Sequence, residues 1–262
     1  MDCLCYEERR DEVTIPRFYH PQNMEPGYVV SLPDDFLHYT RRVLRMGIGD
    51  RLELIDGQGF QYEGRICSVS SAGILVEIVA KTFLQDSSFS ITLCQALVKA
   101  NKMDFIIQRS VELGVTRFIP FSSSRTIVRL TETSAAMKVR RWQKIASESA
   151  RQCGRSIIPS VEQVLSYQEM LKEGGNNEAK IIFWEGERSR TIRQLFQKEE
   201  NDPHNYFFVI GPEGGFSGDE IVQADMEGFS PMTIGKRVLK VETAVLSILA
   251  ILQYERGLFQ GD

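Results

Sequence analysis

Residues Tyr206-Phe-Phe-Val-Ile-Gly-Pro-Glu-Gly-Gly-Phe-Ser-Gly-Asp-Glu220 decide how the larger part of the chain is read. Positions 206–210 are all apolar or aromatic, the pattern of a strand covered on both faces. Gly211, Gly214 and Gly215 admit a positive φ or a close approach of backbone to ligand, and Pro212 fixes one φ and removes one donor. Ser217 is expected to cap the next helix, with Glu220 three residues on closing a capping box. A shaped loop at the carboxyl end of a buried strand is where open α/β sheets bind small ligands. A plain strand-to-helix turn would account for the glycines taken alone. The spacing is neither G-x-G-x-x-G nor a Walker loop, since no Gly-Lys-Ser/Thr follows, which disfavours a dinucleotide or a nucleoside triphosphate.

Working outward, residues 91–98 read as a strand. A helix follows, capped by Asn101, with Asp104 in its first turn and Gly114 at its end, and residues 115–121 form the next strand. Strand, helix, strand over this length is a parallel βαβ unit. A long helix opens at Thr133 or Ser134 and runs to about Cys153, a strand is expected at 180–184 and a helix near 191–197. A short strand at 231–235 and an apolar helix at 241–256 complete an α/β region with a mainly parallel sheet. The last helix is apolar on too many sides for an exposed one, which divides it between burial against its own sheet and a dimer interface.

Upstream, residues 15–81 are mostly β. Residues 34–45 form a short amphipathic helix with an acidic start and a basic end, suiting the helix dipole. Strands at 51–56, 60–69 and 74–79 are joined by tight turns, the pattern of a small barrel. Residues 83–90 are the candidate linker, which divides the chain into domains at 14–85 and 88–262.

At 262 residues the chain suits two modest domains, and 42% hydrophobic with 25% charged residues is an ordinary globular composition. No apolar run reaches the length of a membrane span, and the polar N-terminal stretch is unlike a signal peptide, so the cytoplasm is expected. Five cysteines and three histidines argue for free thiols and against zinc or any other metal. The net charge is −4, yet positions 99–155 carry twelve basic residues and four acids. That excess is either the solvated faces of two helices or a surface for an acidic partner.

A second loop, Ile234-Gly-Lys-Arg-Val-Leu-Lys-Val-Glu-Thr-Ala244, joins the last short strand to the terminal helix. Two glycine loops at adjacent strand ends would make a pocket of backbone amides, carbonyls and apolar walls, suited to adenosine with a methionyl tail. Thr243 is placed to cap the helix and to present a hydroxyl to a ligand.

These paired loops closely resemble the RsmE family, bacterial 16S rRNA uridine-N3 methyltransferases. The resemblance extends to Arg17-Phe-Tyr, Arg42-Val-Leu-Arg45, Asp56-Gly57, residues 108–114 and Gln152-x-Gly-Arg155. It implies a SPOUT-class domain whose parallel sheet is knotted as a trefoil and binds S-adenosylmethionine, preceded by a PUA-like β-barrel for RNA. It also implies a homodimer with the active site at the interface, acting on 16S rRNA or the small ribosomal subunit. The cofactor residues are then expected to be Ile210, Gly211, Pro212, Glu213, Gly214 and Gly215 from one loop. Ile234, Gly235, Val238, Leu239 and Thr243 come from the other. Uridine N3 must lose its proton, and Arg237 is the candidate to stabilise the charge that spreads onto O2 and O4; a structural ion pair of Arg237 with Glu213 or Glu242 is the alternative. Arg17, Arg42, Arg45, Lys99, Lys102 and Arg155 are candidate phosphate contacts. Competing readings are the same fold acting on another RNA position such as a ribose 2′-OH, an RNA-binding module without catalysis, and a metabolic α/β enzyme.

Overall fold

The computed structural model describes residues 15–32, 44, 46–70, 73–84, 88–175, 177–196 and 203–257. The helix expected over 34–45 falls outside them except for Leu44, and Arg42 and Arg45 with it. Two compact units result, one up to Leu84 and one from Gln85 onward.

The first unit is a five-stranded sheet of β1 (Arg17–Tyr19), β2 (Val29–Ser31), β3 (Arg51–Ile55), β4 (Phe60–Ser70) and β5 (Gly73–Phe83). Its order is β1-β3-β4-β5-β2, and only the β1–β3 pair is parallel. Alternation along β3 and β4 sends Leu52, Leu54, Tyr62 and Ile66 inward to meet Phe18, Val76 and Ile78. Register shifts in the β4–β5 pair at Glu63/Gly64 and Ile66/Ser68 bend these two long strands.

The second unit runs β6 (Ser90–Ala96), α1 (Ala100–Glu112), β7 (Arg117–Ser122), α2 (Glu132–Gln152), β8 (Ser160–Val161), β9 (Leu165–Ser166) and α3 (Tyr167–Glu173). Then come β10 (Ala179–Phe183), a 3-10 turn (Ile192–Leu195), β11 (Asn205–Ile210), α4 (Gly218–Met226), β12 (Ser230–Met232) and α5 (Val241–Glu255). The sheet order is β12-β10-β11-β6-β7-β8, with β9 also on β7, and every pair is parallel. The continuous apolar run of β11 is explained by helices on both faces. Tyr206, Phe208 and Ile210 face a core with α1, α2 and α5. Phe207 and Val209 face a second core with α3 and α4. Both cores exclude water from backbone that is fully paired within the sheet.

Several local expectations need correction. The N-cap of α1 is Lys99, without a side-chain bond, because the amides of Lys102 and Met103 turn back to the Lys99 carbonyl at 2.9 and 3.2 Å. Asn101 therefore lies inside the helix, and Asp104 pairs instead with Arg141 of α2 at 2.7 Å. Helix α2 starts at Glu132, since Thr131 takes the cap and its hydroxyl accepts from the Ser134 amide. Helix α3 had no counterpart in the sequence reading, although Ser166 and Glu169 form a full capping box there. The helix expected at 191–197 is a single 3-10 turn as far as it is described.

The capping box at the head of α4 is as expected, and Glu220 does more than close it. Its buried carboxylate accepts from the Ser217 amide at 2.9 Å and from the Ser124 amide at 2.8 Å, so it joins the β7 and β11 loops. Ser217→Ala should lower the unfolding free energy by about 1 kcal/mol in urea titrations. Glu220→Ala should cost about 2–3 kcal/mol, because it also leaves the Ser124 amide unsatisfied.

Candidate functional site

The carboxyl ends of β10, β11 and β12 lie side by side, and the loops leaving them line one cavity of about 390 Å³ with the start of α1 at its edge. That volume is within the range of small-molecule sites. In the β11 loop the Gly215 amide closes a turn onto the Pro212 carbonyl at 2.9 Å. Only Gly215 of its three glycines has a positive φ, +66°. Gly211 instead packs beneath the Phe216 ring, and Gly214 packs against Arg125, whose guanidinium donates to the Gly214 carbonyl at 3.0 Å. Below the loop, Gln95 is buried and its Nε2 donates to the carbonyls of Ala96 (2.9 Å) and Gly211 (3.3 Å). These bonds fix the loop to the ends of β6 and β7.

The β12 loop turns on Thr233, whose hydroxyl donates to the Gly235 carbonyl at 3.0 Å. Gly235 has φ +148°, and nothing lies within 4 Å of where a Cβ would stand. Bare backbone therefore borders the cavity at that point, where a flat ring can approach it. Phe183, Ile210, Phe216, Met232, Ile234 and Val241 supply apolar walls.

The third wall, residues 184–190 after β10, was not anticipated from the sequence. The Glu187 carboxylate gathers the amides of Arg188 (2.8 Å), Ser189 (2.7 Å) and Arg190 (3.1 Å) and the Ser189 hydroxyl (2.7 Å). Those bonds, the Ser189 amide foremost, pull its pKa down to about 2. Glu185 leans so closely over Gly215 that a Cβ there would overlap its carboxylate. Trp184, Glu185 and Arg188 all line the cavity. The signal for this loop was its position after a buried strand in a parallel sheet.

Of the residues expected to hold a cofactor, Ile210, Gly211, Pro212, Glu213, Gly215, Ile234, Gly235, Val238 and Leu239 line the cavity. Gly214 and Thr243 are not part of its lining. Gly214 is turned to Arg125, and Thr243 is exposed on α5, which begins at Val241 after Lys240 as N-cap. Thr243 thus does not cap the helix. Arg237 is exposed on the cavity wall and has no hydrogen bond or ion pair to a described residue. The ion pair considered for it is made by Lys102, whose Nζ lies 3.2 Å from Glu213 and 3.5 Å from Glu242. Contact with Glu213 first, then Glu242, raises the Lys102 ammonium above its ordinary pKa.

The other basic candidates separate by what they already touch. Arg17 pairs with Glu53 at 2.7 Å, and Arg155 donates to the carbonyls of Val111 (3.0 Å) and Val115 (2.6 Å), which ties α1 to the end of α2. Lys99 is exposed at the head of α1. Among the described residues, no three His, Cys, Asp or Glu side chains gather as a metal site would require.

The family profile of an RNA methyltransferase domain matches residues 85–253, and that of an RNA methyltransferase PUA domain matches residues 32–79. The chain is 32% identical to ribosomal RNA small subunit methyltransferase E of Buchnera aphidicola, covering 94% of this chain and 96% of the relative. The Bacillus subtilis protein of the same name is 28% identical over 92% and 96% of the two chains. Among solved structures, ribosomal RNA small subunit methyltransferase E of Neisseria gonorrhoeae bound to S-adenosylmethionine is 34% identical, with a TM-score of 0.81 over 92% of this chain and 97% of that one. A Legionella pneumophila methyltransferase in complex with the same cofactor has 31% identity and a TM-score of 0.81 over 92% and 98%.

The Glu187 anchor makes the third wall sensitive to acid. Its folded pKa is below the ordinary 4.5, so its contribution is complete above that value and is lost as pH falls toward about 2. Trp184 in the same loop should report this as a fluorescence change over that interval. Glu187→Gln should give the acid-side signal already at neutral pH.

Proposed function

We propose that this chain, which belongs to the RNA methyltransferase family and within it to the ribosomal RNA small subunit methyltransferases E, methylates N3 of a uridine in 16S rRNA with S-adenosylmethionine as donor. Its fold is that of SPOUT-class methyltransferases with a PUA-like N-terminal unit. The observation that carries the reading is the shared cavity of the β11 and β12 loops, the two stretches that carry the sequence resemblance.

The cavity suits the donor. Apolar side chains on several sides accept a purine ring, and bare backbone at Gly235 leaves amide and carbonyl edges for its polar rim. Carboxylates and cations at the rim (Glu185, Arg188, Glu213 and Lys102) match a tail that carries both signs of charge. When bound, the donor supplies a methyl group on a positively charged sulfur, which leaves as a neutral thioether.

The chain's own residues have three tasks. The loops hold the donor and exclude water, so that positioning supplies much of the acceleration. Arg237 stabilises the negative charge that develops on O2 and O4 as N3 loses its proton. It is free for this, because Lys102 occupies the carboxylates that would otherwise engage it. Because N3 lies on the pairing edge, the uridine must be unpaired or flipped out to reach the cavity. Lys99 and the basic residues of the first unit are proposed as phosphate contacts.

A homodimer, the trefoil threading and a cytoplasmic location belong to the same proposal. For the dimer, α5 buries Val245, Ile248, Leu249 and Leu252 in its own unit yet leaves Tyr254 65% exposed. No described helix is long and apolar enough to cross a membrane.

Mass spectrometry of nuclease-digested 16S rRNA, treated with the protein and S-adenosylmethionine, should yield 3-methyluridine and no 2′-O-methylated nucleoside. Arg237→Ala should lower kcat by about 10²-fold, as for loss of one oxyanion donor, and leave the donor Kd nearly unchanged.

A further inference from the structure

Lys102 projects from the first turn of α1 and belongs to neither loop, yet it touches a carboxylate attached to each. Glu213 lies in the β11 loop, and Glu242 lies in the first turn of α5, directly after the β12 loop. Helix α1 is a firm base, since Met103, Ile106 and Ile107 beside Lys102 are buried in the core. The ammonium itself lines the cavity. Two carboxylates this close to one cation repel each other if it is removed. One oxygen of Glu242 is also buried without a hydrogen bond, leaving the 3.5 Å ionic contact with Lys102 to balance its charge. Removing Lys102 would leave that buried oxygen without its cation, a cost beyond the loss of the contact itself.

We propose that Lys102 is a positioning residue, an electrostatic clamp that holds the β11 and β12 loops at the spacing the methyl donor requires, and not a phosphate contact. The clamp deepens the proposed function and rests on its assignment of the cavity. An RNA phosphate at Lys102 would have to compete with two carboxylates already in place. The charge of Lys102 is therefore spent inside the protein, and its effect reaches the reaction through the shape of the cavity.

The test compares the full chain with Lys102→Met, Lys102→Arg and the double variant Lys102→Met/Glu242→Gln. S-adenosylmethionine affinity is read by calorimetry, affinity for a 16S rRNA fragment by anisotropy, and loop opening by amide hydrogen exchange without ligand. Lys102→Met should raise the donor Kd about tenfold, a size typical of coupled neighbours, with RNA affinity unchanged. It should also speed exchange at 213–215 and 234–240 while α1 stays protected. Lys102→Arg should stay within about threefold of the parent, because a guanidinium can span both carboxylates. The double variant should bind the donor no worse than Lys102→Met, since the unpaired carboxylate has gone too. Unchanged loop exchange in Lys102→Met overturns the clamp, as does a loss of RNA affinity with donor affinity intact. A parent protein that binds no donor refutes the proposed function alone, and the exchange data still decide the clamp.

Discussion

Parallel pairing of β11 with β10 on one side and β6 on the other is the constraint on which the rest of the molecule depends. Parallel strands all have their carboxyl ends at the same edge of the sheet, so the chain must leave β10, β11 and β12 side by side. That pairing brings residues 184, 211 and 235 to one place. The pairing is stable only because both faces of the sheet are covered. Those covering helices come from positions before and after the loops, so the site is secured from outside its own segments.

The polar interactions follow a division of labour. Gln95, Arg125 and Glu220 hold the β11 loop from below through its carbonyls and amides, and none of them lines the cavity. Thr233 and Glu187 do the same for the two flanking loops by folding each upon itself. Of the charged groups that line the cavity, Lys102 and Glu213 are paired with each other, while Arg237 has no ion pair to a described residue. A guanidinium kept free of local carboxylates is the arrangement that charge stabilisation at a reacting centre needs, because no internal pair must break first.

Much of this was legible in the chain. Apolar runs gave β6, β7, β10 and β11, and glycines gave the ends of α1 and α5. The Ser217 box falls where its local pattern placed it, and nine of the eleven residues expected at a cofactor line one cavity. Other features were not legible. The start of α2 shifted where several capping residues stand in a row, at 131–134, because local chemistry permits each and the folded structure selects one. The internal bonds of the candidate basic residues were not legible either: Arg155 and Arg17 are bonded within their own units, and Lys102 sits between two acids.

The sequence by itself determined the α/β class, the two glycine loops and the family, because strand burial, turn chemistry and motif spacing are local properties of the chain. Only the tertiary structure decided which wall completes the cavity and that Lys102, not Arg237, pairs with Glu213 and Glu242. The loop after β10 carries no motif of its own. An ion pair joining residues 102, 213 and 242 across three elements leaves no periodic trace, since it arises from side chains that meet only once the sheet is assembled.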